Sequence, residues 1–556
     1  MPYRAPVSDI RFCLDHVVGF DRVAATETFA EATPETVDAI LTEAGRLCEE
    51  VLAPLNREGD LHPARLENGV VRTSPGYAEG FRAIAEGGWI GMSAPEDFGG
   101  MGLPITLATA VNEMLSSACL ALQLNPLMSQ GQIEALEAHA SAEIQELYIP
   151  KLISGEWTGT MNLTEPQAGS DVGALKTRAE PQGDGSYKVT GQKIYISWGD
   201  HDMAENVCHL VLARLPDAAE GTKGISLFMV PKRIPNEDGT PGPANDLHVV
   251  SLEHKLGLHG SPTAVMQYDG ARGWLVGEPH RGMAAMFTMM NNARLGVGVQ
   301  GLGVAERALQ HAVAYALERR QGRSHVEDGS ILEHADVRRA VLTMKSETFA
   351  ARALCLDCAV ALDMGRATGD AEWRARGAFL TPIAKAFGTD TGIKVAGDGI
   401  QVHGGMGFVE ETGAAQFLRD VRVTAIYEGT NGIQAMDLVG RKLADGGAAA
   451  FALLDEVAEA DHEGLRAASA ELRTLTEWML AQDMQDRFAG SVAYLAAFAR
   501  VLGAHYHLRA AAADASRAGI ARFAAGRMLP EALAEMAKAR TGAEELYAIS
   551  TEEIAA

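Results

Sequence analysis

The chain has 556 residues, 47% of them hydrophobic, and its 48 basic against 73 acidic side chains leave a formal charge of −25. That length supports three or four domains with sizeable cores, and such a polyanion repels nucleic acid and acidic membranes over a screening distance of about 10 Å. No positively charged, hydrophobic leader opens the sequence, and the apolar run from Ala489 is broken by Arg500, so the expectation is a cytoplasmic globular protein with no membrane insertion and no nucleic-acid partner. Six scattered cysteines suggest neither a disulfide framework nor a zinc site; Cys355 and Cys358, spaced as CxxC, fall in a helical Ala/Leu pattern and read as buried thiols, and no metal is expected.

Residues 1–35 form an N-terminal extension. Over 36–160, as in Thr36-Val37-Asp38-Ala39-Ile40-Leu41, apolar positions return at helical spacing and predict an N-terminal helical domain, with a loop signal from Trp89 to Gly100. Over 161–281, short runs such as Tyr187-Lys188-Val189-Thr190 and Ile225-Ser226-Leu227-Phe228-Met229-Val230, separated by turn residues, predict a small middle β domain. Helical periodicity resumes over 282–445 as a C-terminal bundle, and the Gly446-Gly447 joint opens an additional helical domain over 446–556. The fold class expected is therefore mainly α with a central β domain.

Chemistry concentrates in three segments. In Ile426-Tyr427-Glu428-Gly429-Thr430-Asn431, one carboxylate sits between a bulky aromatic and a glycine, the setting for a shielded base. Upstream lie Leu163-Thr164-Glu165-Pro166-Gln167-Ala168-Gly169-Ser170-Asp171 and Gln401-Val402-His403-Gly404-Gly405-Met406-Gly407-Phe408. In this order the three segments resemble those of the acyl-CoA dehydrogenase family, which implies a β-barrel between helical domains, FAD as cofactor, and removal of hydrogen from the α and β carbons of an acyl-CoA.

By that resemblance Glu428 is the base that takes the α proton while a hydride leaves for flavin N5, and the Glu428 N–H with a flavin ribityl hydroxyl binds the thioester oxygen. Tyr427 shields the base, and Gly429 lets the backbone approach the acyl chain. Relatives that carry the base before the arginine of the following helix have a carboxylate where this chain has Ala293, next to Arg294, so Glu428 is the remaining candidate. Arg294, with Asn291, either meets the acyl-CoA or, as the bland alternative, forms an ion pair at a helix start.

The resemblance further assigns Leu163, Thr164, Gly169 and Ser170 to flavin, Ser170 also to acyl-CoA. Tyr195 and Ser197, in Lys193-Ile194-Tyr195-Ile196-Ser197-Trp198, stand where relatives carry Trp and Thr, and are expected to cover the flavin. Arg319, Gln321, Gln401, Gly404 and Gly405 match contacts made to the FAD diphosphate and adenine of a neighbouring subunit, which implies a homodimer or a dimer of dimers. Thr430 and Asn431 complete the flavin set. For each of these residues the plain structural role, a turn or a solvated charge, stays open at this point.

Glu253-His254-Lys255-Leu256-Gly257-Leu258-His259-Gly260-Ser261, the run Met289 to Arg294 and the long C-terminal tail resemble a longer bacterial subgroup of the family. The resemblance implies 3-(methylthio)propanoyl-CoA as substrate, 3-(methylthio)acryloyl-CoA as product, a place in dimethylsulfoniopropionate breakdown, and electron-transferring flavoprotein as acceptor. A short straight-chain acyl-CoA dehydrogenase and an acyl-CoA oxidase are the enzyme alternatives; a DNA-associated flavoprotein conflicts with the charge, and a non-catalytic acyl-CoA binder with an intact Glu428. Gly296-Val297-Gly298-Val299-Gln300-Gly301 satisfies the GxGxxG dinucleotide pattern, but no strand leads into it, so close helix packing is the expected use of its glycines.

Overall fold

Helical spacing at both ends and strand alternation between them produce the elements that the computed structural model shows; it describes residues 3–326 and 329–556, and of Asn291 and Asn292 only the backbone. In chain order come helices α1 (Val7–His16), α2 (Pro34–Leu47), α3 (Ile105–His139) and α4 (Ala142–Ser154). Strands β1 (Trp157–Asn162), β2 (Arg178–Pro181), β3 (Tyr187–Ser197), β4 (Asn206–Arg214), β5 (Ile225–Pro231), β6 (Leu247–Leu252) and β7 (Thr263–Val276) follow. Then come α5 (Gly282–Glu318), α6 (Ala335–Thr368), α7 (Ala371–His403), α8 (Asn431–Asp437), α9 (Ala448–Ala458), α10 (Glu463–Ala481), α11 (Met484–Ala513) and α12 (Ala518–Ala539). The expected class, mainly α with a central β domain, is the one found.

The chain forms two compact units, one of Met1–Gly45, Pro104–Ser117 and Arg294–Ala556, the other of Arg46–Leu103 and Ala118–Ala293. In the second, the sheet runs β6-β7-β3-β2-β4-β1, and β5 pairs with both β7 and β4, closing β7, β3, β2, β4 and β5 into a ring. Inward positions of these strands, among them Val189, Ile196, Val211, Phe228, Met266 and Tyr268, form its core. A two-stranded hairpin, Arg65–Glu67 with Val70–Arg72, interrupts the region read as helical.

In the first unit, glycines set a close helix crossing. A Cβ on Gly298 would lie 2.6 Å from the Ala384 carbonyl oxygen, one on Gly301 2.3 Å from that of Gly388, and one on Gly388 2.3 Å from that of Gly298. The GxGxxG run is thus the seam along which α5 meets α7 backbone to backbone, as expected of small residues rather than of a nucleotide loop.

The C-terminal helices of this unit pack on α6 and α7. Phe379 of α7 meets Phe498 of α11 edge to face at 5.0 Å, Tyr506 donates to Asp357 at 2.6 Å, and Arg376 bridges Asp357 and Glu456 at 2.8 and 2.7 Å. Cys355 and Cys358 lie buried within α6, the Cys358 thiol pushed up to about 12 by burial. Among the described residues, α3 and α11 are long and apolar enough to cross a membrane by length and composition, but their apolar windows are 94% and 67% buried inside the protein.

Candidate functional site

The turn that leads into α8 carries the candidate base in a strained backbone. Glu428 and Gly429 both have left-handed φ values, 55° and 85°; for a glutamate this costs roughly 1–3 kcal/mol and persists only where the surroundings over-determine it. Here they do. Gln434, fully buried, donates its amide to the Glu428 carbonyl at 3.1 Å, Thr430 caps α8 by accepting from the Ile433 N–H at 3.3 Å, and the Tyr427 hydroxyl donates to Gln300 of α5. Lys385 of α7, also fully buried, donates to the Gly429 carbonyl and to the Asn431 side-chain oxygen, both at 2.9 Å.

Glu428 as a residue is partly exposed, yet protein surrounds its carboxyl closely enough that desolvation pushes its pKa up to about 7, against the opposing charges of Arg294 and Lys385. A carboxyl so poised is a competent base near neutrality. Burial lowers Lys385 to about 8 even with Glu428 and Asp390 favouring its charged form. Arg294 lies inside α5 rather than at a helix start, is 6% exposed, and pairs with Asp437 at 3.5 Å. The Asn431 amide is engaged by Lys385, Thr389 and, at 2.7 Å, Asp390.

Lys385 and Gln300 escaped sequence reasoning, although a signal existed. Lys385 is a lone cation in the apolar run Phe379 to Phe387, and an unpaired charge rarely survives in a core. The seam glycines bring α5 and α7 close enough for Gln300 and Lys385 to grip the same turn from two helices.

In the other unit, Glu165-Pro166-Gln167-Ala168 is a tight turn closed by reciprocal backbone bonds of 3.0 Å between Glu165 and Ala168, which pushes Gly169 and Ser170 outward and exposed. Beneath it, Lys193 of β3, with no exposed surface, donates to the Leu163 carbonyl at 3.0 Å and to Glu165 at 2.9 Å. The Glu165 carboxylate also accepts from Thr177 and from the Lys176 N–H at 2.7 Å; Lys193 and these donors overcome burial and hold its pKa down to about 2. This ion pair, also missed in the sequence, fastens the Leu163-Thr164 segment to the strand bearing Tyr195 and Ser197, and the Ile194 N–H donates to the Thr164 carbonyl at 2.9 Å.

A bulge places Ile194 and Tyr195 opposite the single residue Val265, since Ile196 pairs with Ala264 but Lys193 with Met266. Tyr195 consequently adopts φ 59° and turns its ring out, 62% exposed. Trp198, for which the sequence offered no role, is fully buried, donates to the Ala121 carbonyl at 3.2 Å and stacks near Tyr77; it anchors the strand end from inside.

Arg319 and Gln321 lie exposed just beyond α5, the guanidinium 3.4 Å from the Gln321 side-chain oxygen. Gln401, Gly404 and Gly405 are exposed at the end of α7, and a Cβ on either glycine would meet nothing within 4 Å. Below them His403 is buried in a stack with Tyr315 at 4.4 Å and His311 at 4.6 Å, joining the segment to α5. The side chain of Asn291 lies outside the described residues.

Family models for the N-terminal, middle and C-terminal domains of acyl-CoA dehydrogenase match residues 34–156, 160–271 and 280–443. The chain belongs to the acyl-CoA dehydrogenase family and is an oxidoreductase acting on acyl-CoA. It is similar to the 3-methylmercaptopropionyl-CoA dehydrogenase of Ruegeria pomeroyi, 46% identical over 521 residues covering 89% of this chain and 88% of the relative. A butyryl-CoA dehydrogenase of Syntrophomonas wolfei is 35% identical over 462 residues, covering 79% and 75%. Among solved structures, Caenorhabditis elegans ACDH-11 in complex with C11-CoA matches with a TM-score of 0.77 at 21% identity, covering 90% and 89%, a likeness of fold.

Proposed function

We propose that the chain is an FAD-dependent dehydrogenase that converts 3-(methylthio)propanoyl-CoA to 3-(methylthio)acryloyl-CoA, with Glu428 removing the α proton. The observation that carries this reading is the Glu428 carboxyl itself, held on a left-handed turn with its pKa near 7. A weakly acidic α C–H needs a base of raised basicity whose position does not drift, and desolvation supplies the first while Lys385, Gln434 and Gln300 supply the second. The Glu428 N–H has no acceptor among the described residues, which leaves it free to donate to the thioester oxygen as enolate character grows. Tyr427 narrows access of water to the base, Gly429 keeps side-chain bulk off the acyl chain, and Ser170, Arg294 and Asn291 complete the proposed acyl-CoA contacts.

The residues assigned to FAD suit it. The exposed Tyr195 ring is available for stacking, Gly169, Gly404 and Gly405 leave open space where a Cβ would stand, and Arg319 has no carboxylate partner among the described residues. Leu163, Thr164, Ser170, Ser197, Gln321, Gln401, Thr430 and Asn431 make up the rest of that set. FAD supplies the two-electron acceptor for the hydride leaving the β carbon. Electron-transferring flavoprotein as acceptor, a second copy of the chain and a cytoplasmic location belong to the same proposal; exposed Met406 and Phe408, 49% and 90%, beside Gly404 and Gly405 support the second copy.

The thioether substrate rests on the 46% relative, and the 35% relative favours a short straight-chain acyl-CoA as the second reading. Anaerobic titration of the purified flavoprotein with 3-(methylthio)propanoyl-CoA and with butanoyl-CoA separates them. Loss of oxidised-flavin absorbance at lower thioether concentration is expected. Equal or better bleaching by butanoyl-CoA shifts the assignment to the straight chain, and no bleaching by either overturns both.

A further inference from the structure

The two segments that lie outside the matched family domains, before residue 34 and after residue 443, meet in the first unit. Arg517, just before α12, pairs with Asp9 of α1 at 2.8 Å and lies over the Phe12 ring at 3.8 Å. Together with the C-terminal half of α5 and with α6 they line a partly open cavity of roughly 370 Å³, within the range of small-molecule sites.

Its walls combine apolar surface, from Leu309, Val313, Leu317, Phe349 and Ile520, with five cations and only two carboxylates, a reversal of sign in a chain of charge −25. The two carboxylates are already used: Glu306 pairs with Arg352 at 2.8 Å, and Asp9 with Arg517. Arg4 and Arg307 have no carboxylate partner among the described residues, and Lys345 feels Asp9 without a close ion pair; Arg307 is half-buried, with its guanidinium 5.0 Å from the Tyr3 ring centroid. Thr348, 1% exposed, lines the same cavity with a hydroxyl that has no hydrogen-bond partner among the described residues. A guanidinium taken partly out of water and a buried hydroxyl left without a partner each lose free energy that an anionic acceptor restores.

We propose that this cavity is a second ligand site, separate from the acyl-CoA site, for an amphipathic carboxylate of the fatty-acid class. Its head pairs with Arg307 and hydrogen-bonds Thr348, and its chain lies against Leu309, Val313 and Ile520. No residue of the Glu428 turn lines the cavity, so occupancy does not require the dehydrogenase reaction.

The test is isothermal titration of the flavin-loaded protein with sodium octanoate, in the presence of saturating product acyl-CoA to block the acyl-CoA site. Saturable binding near one per chain is expected, weakened at least tenfold in Arg307→Met and abolished in Val313→Trp, which fills the cavity. Both variants are expected to keep wild-type flavin content, melting temperature and turnover, so that loss of binding is not loss of folding. Absence of saturable binding overturns the proposal, as does binding that both folded variants retain.

Discussion

Replacing Glu428 by Gln should abolish turnover and, at the same time, make the folded protein more stable at alkaline pH. Burial raises the carboxyl from 4.5 to about 7, and each pKa unit corresponds to about 1.4 kcal/mol between protonation states. The fully ionised carboxylate therefore destabilises the fold by up to roughly 3 kcal/mol relative to its neutral form, nearer 1–2 kcal/mol after allowance for the residue's partial exposure. A group whose folded pKa is raised contributes stability that is complete below its unfolded pKa and lost as pH rises through the folded value. Wild type and variant should thus unfold alike below about pH 4.5, diverge as the pH rises from there to about 7, and keep the full difference above that, the variant being the more stable. The amide keeps the shape but cannot take a proton, and loss of a general base costs roughly 100- to 10,000-fold. The assay pairs kcat/KM over pH with urea denaturation at each pH, both proteins holding equal flavin. A wild-type acid limb near pH 7 is expected. A variant within tenfold of wild-type activity, or no stability gain above that pH, would refute the assignment of a desolvated base.

Lys385→Met should lower kcat/KM about tenfold or more and move the acid limb upward, because the turn loses its two 2.9 Å bonds and Glu428 loses an opposing charge; an unmoved pH profile would show that the lysine is only packing. Gly301→Ala puts a Cβ 2.3 Å from the Gly388 carbonyl oxygen, so a loss of roughly 1–3 kcal/mol is expected in urea titration, with reduced kcat from spreading α5 and α7. Glu165→Gln leaves Lys193 buried without its counter-charge and should cost roughly 3–5 kcal/mol, together with weaker flavin retention on dialysis; retention equal to wild type would sever the proposed link between that ion pair and flavin binding by the Leu163-Thr164 segment. Cutting the chain after Lys442 uncovers Asp357, Arg376 and Phe379, and a soluble, active product with an unchanged melting curve would contradict the role given to the C-terminal helices.

The sequence by itself determined what neighbouring residues encode. Helical and strand periodicities come from the spacing of apolar positions, so the helix–strand–helix order was legible. The Tyr427-Glu428-Gly429 run suggested a shielded base, and the glycines of α5 advertised a close crossing because no strand led into them. What only the tertiary structure decided are the contacts that join distant residues: Lys385 to Gly429, Lys193 to Glu165, Gln300 to Tyr427, and Asp9 to Arg517, 508 positions apart. The first three bury a polar group, Lys385, Lys193 or Gln300, whose place in the core is tolerated only because a partner arrives from another element, and for none of the four does a local pattern name the partner. The same holds for Tyr195 and Trp198, three residues apart, one turned out and the other in, since a bulge in the pairing of β3 with β7 fixes which side each faces.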